Sequence, residues 1–380
     1  MPEKRYLMTP GPTPVPPAVL AATSEPVVHH RSPDFQVVFE RCLARLRDVY
    51  RTSGDVLMFT ASGTAAMESA VANLLAPGET ATVVSAGSFG ERWQAIARAY
   101  GADLDVLEYE WGEVPSADDL AERLARRPAK SVFLTHSETS TGVVADVRAL
   151  AAVSKDARAL VVVDAVSSLG AGPLETDAWG LDVVCSGSQK ALMTPPGLAF
   201  VSVSADAYAA QSASPRFYLD WERTRAAQAE LDSPYTPAVS IVAGLDVALS
   251  LLLGEGLEQA FERHVRLGRA CRAGAKAMGL ELFSPDDDSA AVVTAIAAPD
   301  GIDSSDVVLA LRDRHGITIA NGQGPLKGRI FRIGHIGWFD VFDITTALAA
   351  VELSLAELGA DVERGVATAR ALEVYEGARV

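Results

Sequence analysis

The chain is poor in cysteine: among 380 residues there are three, Cys42, Cys185 and Cys271, and no CxxC spacing joins them. Neither a disulfide framework nor a cysteine zinc site is expected from that pattern. The six histidines, His29, His30, His136, His264, His315 and His335, show no ligand spacing either. Positive charge is also scarce, since 33 Lys and Arg stand against 49 Asp and Glu, a formal net charge of −16. That balance argues against a general electrostatic attraction to nucleic acid or to an anionic membrane. Any anionic substrate must therefore be held by a few local cations. No window approaches the roughly 18 uninterrupted apolar residues of a membrane span. The opening "MPEKRYLMTPGPTPVPP" has an early acid, no apolar h-region and much proline, and the chain ends in "GARV", which is no peroxisomal tripeptide. A reducing cytoplasm is the expected location.

From about residue 55 to 205, short apolar β-branched runs alternate with stretches of helical period. The runs are "VLMFT" (56–60), "ATVVS" (81–85), "DLDVL" (103–107), "SVFLT" (131–135), "ALVVVD" (159–164), "LDVVCS" (181–186) and "LAFVSV" (198–203). Several are apolar throughout, as expected of strands covered on both faces. Helices are expected near 65–76, 90–100, 117–126 and 146–156, so the fold class is α/β, a large domain with a mostly parallel seven-stranded sheet between helices. A proline-rich arm precedes it, and residues 31–51 read as an amphipathic helix starting at a Ser-Pro cap. Beyond a polar connector near 211–236 the pattern becomes α+β: a helix over 256–278, a strand at 291–297, a helix near 304–314, strands near 317–320 and 329–333, and a long helix from Asp340. The expected division is an arm at 1–20 packing near the active site, a large domain at 21–250 and a smaller C-terminal domain at 251–380.

The common nucleotide motifs are absent. There is no GxxxxGK[ST], and Lys190 is followed by Ala191 rather than by a metal-binding hydroxyl. "LGAGPLE" (169–175) lacks the last glycine of a dinucleotide fingerprint, and "NGQGPLKG" (321–328) has the wrong spacing and leads into a strand. Three other features remain. In "TASGTAAMESA" (60–70) a strand ends at Ser62, Gly63 and Thr64 and a helix begins. Backbone N–H groups and two hydroxyls would converge there on a positive helix end, a phosphate site, although an ordinary N-cap reads the same way. Asp164 ends the run "ALVVVD", where it could line the ligand crevice of an open sheet or cap the next helix. Lys190 follows another strand in "SGSQKAL"; alone it would pass for a solvated surface group. Together the three meet the needs of pyridoxal 5′-phosphate: an amine for its aldehyde, an anion for its pyridine nitrogen and fixed donors for its phosphate.

At these residues the chain resembles the class V, fold type I pyridoxal-phosphate aminotransferases, within the alanine/serine:glyoxylate aminotransferase group. The matching stretches are "LMTPGPTPVPP" (7–17), "TASGTAAME" (60–68), "SAGSFGERW" (85–93), "THSETSTG" (135–142), "VVVDAVSSLG" (161–170), "SGSQKAL" (186–192), "PYTPAVS" (234–240) and "GRIFRIGHIG" (328–337). The resemblance implies that Lys190 links to the cofactor aldehyde and Gln189 binds its phosphate with Ser62, Gly63 and Thr64. It implies that Asp164 pairs with the pyridine nitrogen, Val166 packs against the ring and Phe89 stacks over it, where several relatives have Trp. Phe89 could otherwise be a core aromatic. Thr139 stands where the family usually has Ser near the cofactor hydroxyl and the substrate, and Thr64 where many relatives have His. Thr236 resembles the residue that reaches the phosphate of the other subunit, which implies a homodimer with shared sites; a Tyr found three positions earlier in one relative is here Ser233, with Tyr235 adjacent. Arg332 matches the clamp on the substrate carboxylate, a task suited to a bidentate guanidinium, against the alternative of an ion-paired surface arginine. Gly11 is expected to let backbone approach the substrate, and His136 and His335 to be structural.

The implied activity is transfer of an amino group from a small L-amino acid, such as alanine or serine, to a 2-oxo acid such as glyoxylate or pyruvate, with ping-pong kinetics. Other donors, such as aspartate or an aminophosphonate, and a lyase or desulfurase activity are the alternatives within the fold. A desulfurase needs a mobile nucleophilic Cys, whereas Cys185 reads as buried in a strand and Cys42 and Cys271 as helical.

Overall fold

A computed structural model describes residues 4–289 and 291–377; residues 1–3 of the expected arm and 378–380 of the expected C-terminal domain lie outside it. The seven apolar runs form one sheet, ordered Asp55–Phe59, Ala199–Val203, Val183–Gly187, Leu160–Asp164, Ser131–Thr135, Thr80–Ser85, Asp103–Glu108. Ala199–Val203 runs antiparallel to both neighbours, and the other pairings are parallel. Alternate residues serve opposite faces. Val161 and Val163 pack with the Pro33–Tyr50 and Val147–Asp156 helices, while Val162 and Phe133 pack with Met67 and Trp93 on the other side. Both faces are dry, so period-2 alternation of polarity has nothing to respond to and the strands read as continuous apolar runs.

A second core lies in the C-terminal part, where the three-stranded antiparallel sheet Val293–Ala297, Ile330–Gly334, Ala320–Asn321 is covered by the Leu257–Ala277, Ser304–His315 and Val341–Glu357 helices. Asp340 starts the last of these as expected, accepting from the N–H groups of Phe342 and Asp343 while Asp343 accepts from its own N–H. Five helices among the described residues escape the sequence reading, two of them the short Pro17–Thr23 and Ala205–Ala209. Trp221–Ala229 interrupts the polar connector, but only Trp221 and Thr224 are buried, too few to print a periodic stripe. Val239–Glu255 is apolar around most of its circumference, so its 3.6-residue period is faint, yet it packs along the Pro33–Tyr50 helix. Val366–Gly377 lies against Leu257–Ala277 at the end of the chain.

The arm ties the two cores together. Tyr6–Leu7 pairs in parallel with Ile317–Thr318, Met8 enters the C-terminal core, and the Gly334 N–H donates to the Met8 carbonyl at 2.9 Å. Five residues later Thr13 has crossed to the large sheet, where its N–H donates to the Gln189 carbonyl (3.1 Å) and its hydroxyl to that of Lys190 (2.9 Å). A Cβ at Gly334 would lie 2.4 Å from the Thr9 carbonyl oxygen, and backbone cannot yield as a side-chain tip can. Gly334→Ala is therefore expected to lift the arm from its groove. Urea unfolding should show a loss of about 1–3 kcal/mol, and limited proteolysis should cut between residues 8 and 13 faster than in the parent.

Candidate active site

The carboxyl ends of the parallel strands open at one edge of the sheet, where doubly wound folds place their ligands. Asp164 is the last residue of its strand, and Gln189 and Lys190 follow Gly187 at the end of the next. Ser62 precedes the Gly63–Leu74 helix and Phe89 opens the Ser88–Ala99 helix. These residues line one cavity of about 300 Å³, together with Gly11, Gly63, Thr64, Val166 and Arg92. The sequence-predicted cofactor set thus converges, except Thr139 and Thr236.

Lys190 is not a solvated surface group. It is 8 % exposed, and its Nζ donates to the Pro10 carbonyl at 3.0 Å. Burial lowers its pKa to about 8; the nearby Asp164 opposes that shift, and the Arg332 and Arg92 charges assist it. Gly11 was expected to clear a path for substrate. What it clears is the lysine, because a Cβ there would fall 2.3 to 2.4 Å from Lys190 Cε, Cδ and Nζ. Asp164 is fully enclosed and its pKa is raised to about 6 by burial, against the Val166 N–H that donates to Oδ1 at 2.9 Å. Its other oxygen has no hydrogen-bond partner among the described residues. A buried carboxylate so placed favours a cation brought to it.

In the phosphate turn Thr64 Oγ1 accepts from Arg92, whereas the Ser62 side chain is left free. Ser62 is the N-cap of its helix, yet its side chain makes no capping bond, so its hydroxyl and the first-turn N–H groups remain available to an anion. The Gln189 amide oxygen is buried without a partner. A Cβ at Gly187 would come 2.9 Å from that oxygen and 3.4 Å from the Gly63 backbone, and one at Gly63 would come 2.7 Å from Val166 Cγ2. The glycines leave a cradle that any side chain would fill. Uncapped Ser62 with the first-turn N–H groups of its helix, the half-partnered Asp164 and Lys190 together fit pyridoxal phosphate: donors at one end, an anion at the other and an amine between.

Arg332 is 4 % exposed, so it is not a surface arginine, and no carboxylate pairs with it among the described residues. Its Nη1 donates to the Thr139 carbonyl and its Nε (3.0 Å) and Nη2 (2.6 Å) to that of Asn321. Burial lowers its pKa to about 10, with the Glu138 charge opposing, and it stays cationic at neutral pH. Thr139 is buried beside it as its carbonyl partner. Thr236 is exposed and lines no part of its own chain's cavity. Its segment is nonetheless anchored near the phosphate turn, since the Ala238 N–H donates to Thr60 Oγ1 at 2.9 Å and Tyr235 stacks on Tyr218.

Two residues of the site went unread in the sequence. Glu138, 3 % exposed, accepts from the N–H groups of Phe89 (2.9 Å), Gly90 (3.2 Å) and Ser140 (3.2 Å) and from the Ser140 hydroxyl, which fixes the start of the Phe89 helix. A lone acid among buried residues in "THSETSTG" was the available signal. Arg92 stacks on the Phe89 ring at 4.6 Å and donates to Thr64 Oγ1 at 3.3 Å. One helical turn past Phe89, it lay in a stretch already singled out. His335 bonds to Thr294 and the Ala291 carbonyl, away from the cavity. All three cysteines are buried and unbonded, and no group of three or more His, Cys, Asp or Glu among the described residues is placed to hold a metal.

Fold and site together define an α/β transferase built around a buried lysine. The Aminotransferase class-V family matches residues 5–327, and the chain belongs to that family. It is a transaminase of the fold type I architecture. Among its relatives, a protein of Synechococcus named "Soluble hydrogenase, small subunit" is 43 % identical over 94 % of this chain and 95 % of that one. The serine–glyoxylate aminotransferase of Methylorubrum extorquens is 34 % identical over 97 % and 96 %. The crystal structure of ureidoglycine-glyoxylate aminotransferase from Bacillus subtilis superposes with a TM-score of 0.93 at 33 % identity, covering 99 % of both chains.

Two tests bear on the lysine. Capture of pyridoxal phosphate by the apoprotein requires the neutral amine, so its rate, followed by visible absorbance, should rise about tenfold per pH unit below 8 and level off above it. In Gly11→Ala the tip of a flexible lysine must move instead of backbone. Gly11 also sits at φ 155°, a backbone conformation that L side chains rarely adopt, so stability should fall by about 1–3 kcal/mol, while capture slows at least about tenfold.

Proposed function

We propose that this transaminase moves the amino group of a small L-amino acid, alanine or serine, to a 2-oxo acid such as glyoxylate or pyruvate. The observation that carries the proposal is a buried amine held near neutrality whose pKa is lowered in part by the charge of Arg332, a buried guanidinium without a carboxylate partner among the described residues that does not itself line the Lys190 cavity. Pyridoxal phosphate, held by Ser62, Gly63, Thr64, Gln189 and Asp164 with Phe89 and Val166 on its faces, supplies the sink for the electron pair left when the substrate α-proton departs. Arg332 binds the substrate carboxylate and orients the α-carbon. Lys190 Nζ would take the substrate α-proton as general base and return it to the cofactor carbon that carries the amino group. Asp164 holds the pyridine nitrogen protonated. Release of the first 2-oxo acid before the second binds makes the kinetics ping-pong.

Names of relatives that use glyoxylate support the acceptor. A second reading, a dicarboxylic donor such as aspartate, is favoured by Arg92, a further cation in the cavity with no acidic partner among the described residues. The deciding measurement is visible absorbance of the loaded protein, titrated with L-alanine, L-serine and L-aspartate in turn and chased with glyoxylate. The cofactor band should bleach with alanine or serine and return with glyoxylate. Bleaching by aspartate alone selects the second reading, and a band that no donor bleaches rejects transamination of these substrates. Lys190→Ala should keep the cofactor and lose turnover by at least about a thousandfold.

A homodimer in the cytoplasm belongs to the same proposal. Leu20, Val27, Val28 and Val37 are exposed along one segment, an apolar surface suited to a second copy, and the buried unpaired cysteines suit a reducing compartment. Thr236 would then serve the partner's phosphate. Light scattering should give twice the chain mass, and Val28→Lys should shift it toward that of one chain.

A further inference from the structure

A second cavity, of about 290 Å³, lies behind the sheet edge that carries Asp164 and shares no lining residue with the first. It opens between the large sheet's helices and the C-terminal part. Val147, Pro173 and Trp179 wall it on one side, Phe261, Val265 and Val292 on the other. Two buried polar side chains face it, His136 (7 % exposed) and Ser168 (2 % exposed). Neither has a hydrogen-bond partner: His136 Nδ1 and Ser168 Oγ are both enclosed and unmatched, and no bond to either side chain exists among the described residues. Those two atoms are sealed from the cavity, which leaves the imidazole Nε2, without a hydrogen bond among the described residues, as the polar atom for which an occupant would supply a partner. The chemistry of that partner follows from the walls. The charged residues of the lining, Asp146, Arg148 and Asp288, are all exposed and stand at the mouth, leaving the interior without charge. Burial also keeps the imidazole neutral, lowering its pKa to about 4. A flat ring would meet Trp179 and Phe261, and a single hydroxyl would reach the imidazole Nε2.

We propose that this cavity is a binding site for a small uncharged aromatic alcohol, its ring held between Trp179 and Phe261 and its hydroxyl bonded by His136 Nε2. The volume sits at the lower end for small-molecule pockets, which limits the occupant to one or two rings. The site is built on the strand end that serves the reaction, since the His136 N–H donates to the Asp164 carbonyl at 3.0 Å and the Ala145 N–H to the His136 carbonyl at 2.9 Å. It makes no use of Lys190, Arg332 or the phosphate turn.

Phenol is the probe, titrated calorimetrically into the cofactor-loaded full chain, with benzene in parallel. One phenol per chain is expected at millimolar concentration or below, and benzene should bind about tenfold more weakly for want of the hydrogen bond. Val265→Trp, at a half-buried position, should fill the cavity and abolish binding. His136→Phe keeps the ring and removes both nitrogens, so phenol should weaken about tenfold while benzene is unchanged. Diffraction from a phenol-soaked crystal should place the ring against Trp179. No binding to the parent, equal binding of phenol and benzene, undiminished phenol binding to His136→Phe, or density confined to the Lys190 cavity would each overturn the proposal.

Discussion

Keeping the Lys190 amine out of water costs the folded chain on the order of 3 kcal/mol, the equivalent of moving its pKa from 10.5 to about 8. The sign is that of a depressed base: the penalty is in full force below about pH 8 and disappears above 10.5, so at neutral pH folding carries the whole of it. The structure offsets it with apolar burial on both faces of the sheet and with one carbonyl, that of Pro10, turned to the ammonium. Gly11 is the geometric condition for this arrangement, since nothing larger leaves room for the lysine beside the arm.

The same economy runs through the neighbouring groups. Asp164, Gln189, Ser62 and Arg332 each have hydrogen-bonding capacity that the polypeptide leaves unused. Arg332 is fixed by two backbone carbonyls, Asp164 by the Val166 N–H and Phe89 by its backbone N–H on buried Glu138. Rigid placement with unspent polar capacity is what a preorganised site requires. The second cavity repeats the pattern with His136 and Ser168, but in an interior without charge, which is why the two cavities call for such different occupants.

Much of the fold was legible from residue order. Strands buried on both faces write themselves as apolar runs, and caps such as Ser32 and Asp340 mark helix starts because their side chains bond first-turn N–H groups. Two of the overlooked helices failed for opposite reasons: Trp221–Ala229 buries too little to leave a stripe, and Val239–Glu255 carries apolar residues on its unburied faces as well as its buried one. Glu138 and Arg92 were invisible for another reason. A carboxylate and a guanidinium in a loop and a helix carry no local mark of what they will touch, and their partners, Phe89 and Thr64, come from other elements.

Residue order by itself determined the alternating α/β architecture, the sharp turn at Ser62–Gly63–Thr64, and the placement of Asp164 and Lys190 just beyond strands, because each of these rests on local periodicity and turn chemistry. Tertiary structure decided which of those residues are buried and what they face. It brought the arm across both cores to lay Gly11 against Lys190, left Arg332 without an acidic partner, and enclosed His136 with Ser168. Burial and pairing depend on segments hundreds of residues apart in the chain, and the pKa values, the charge states and the shapes of both cavities follow from burial and pairing alone.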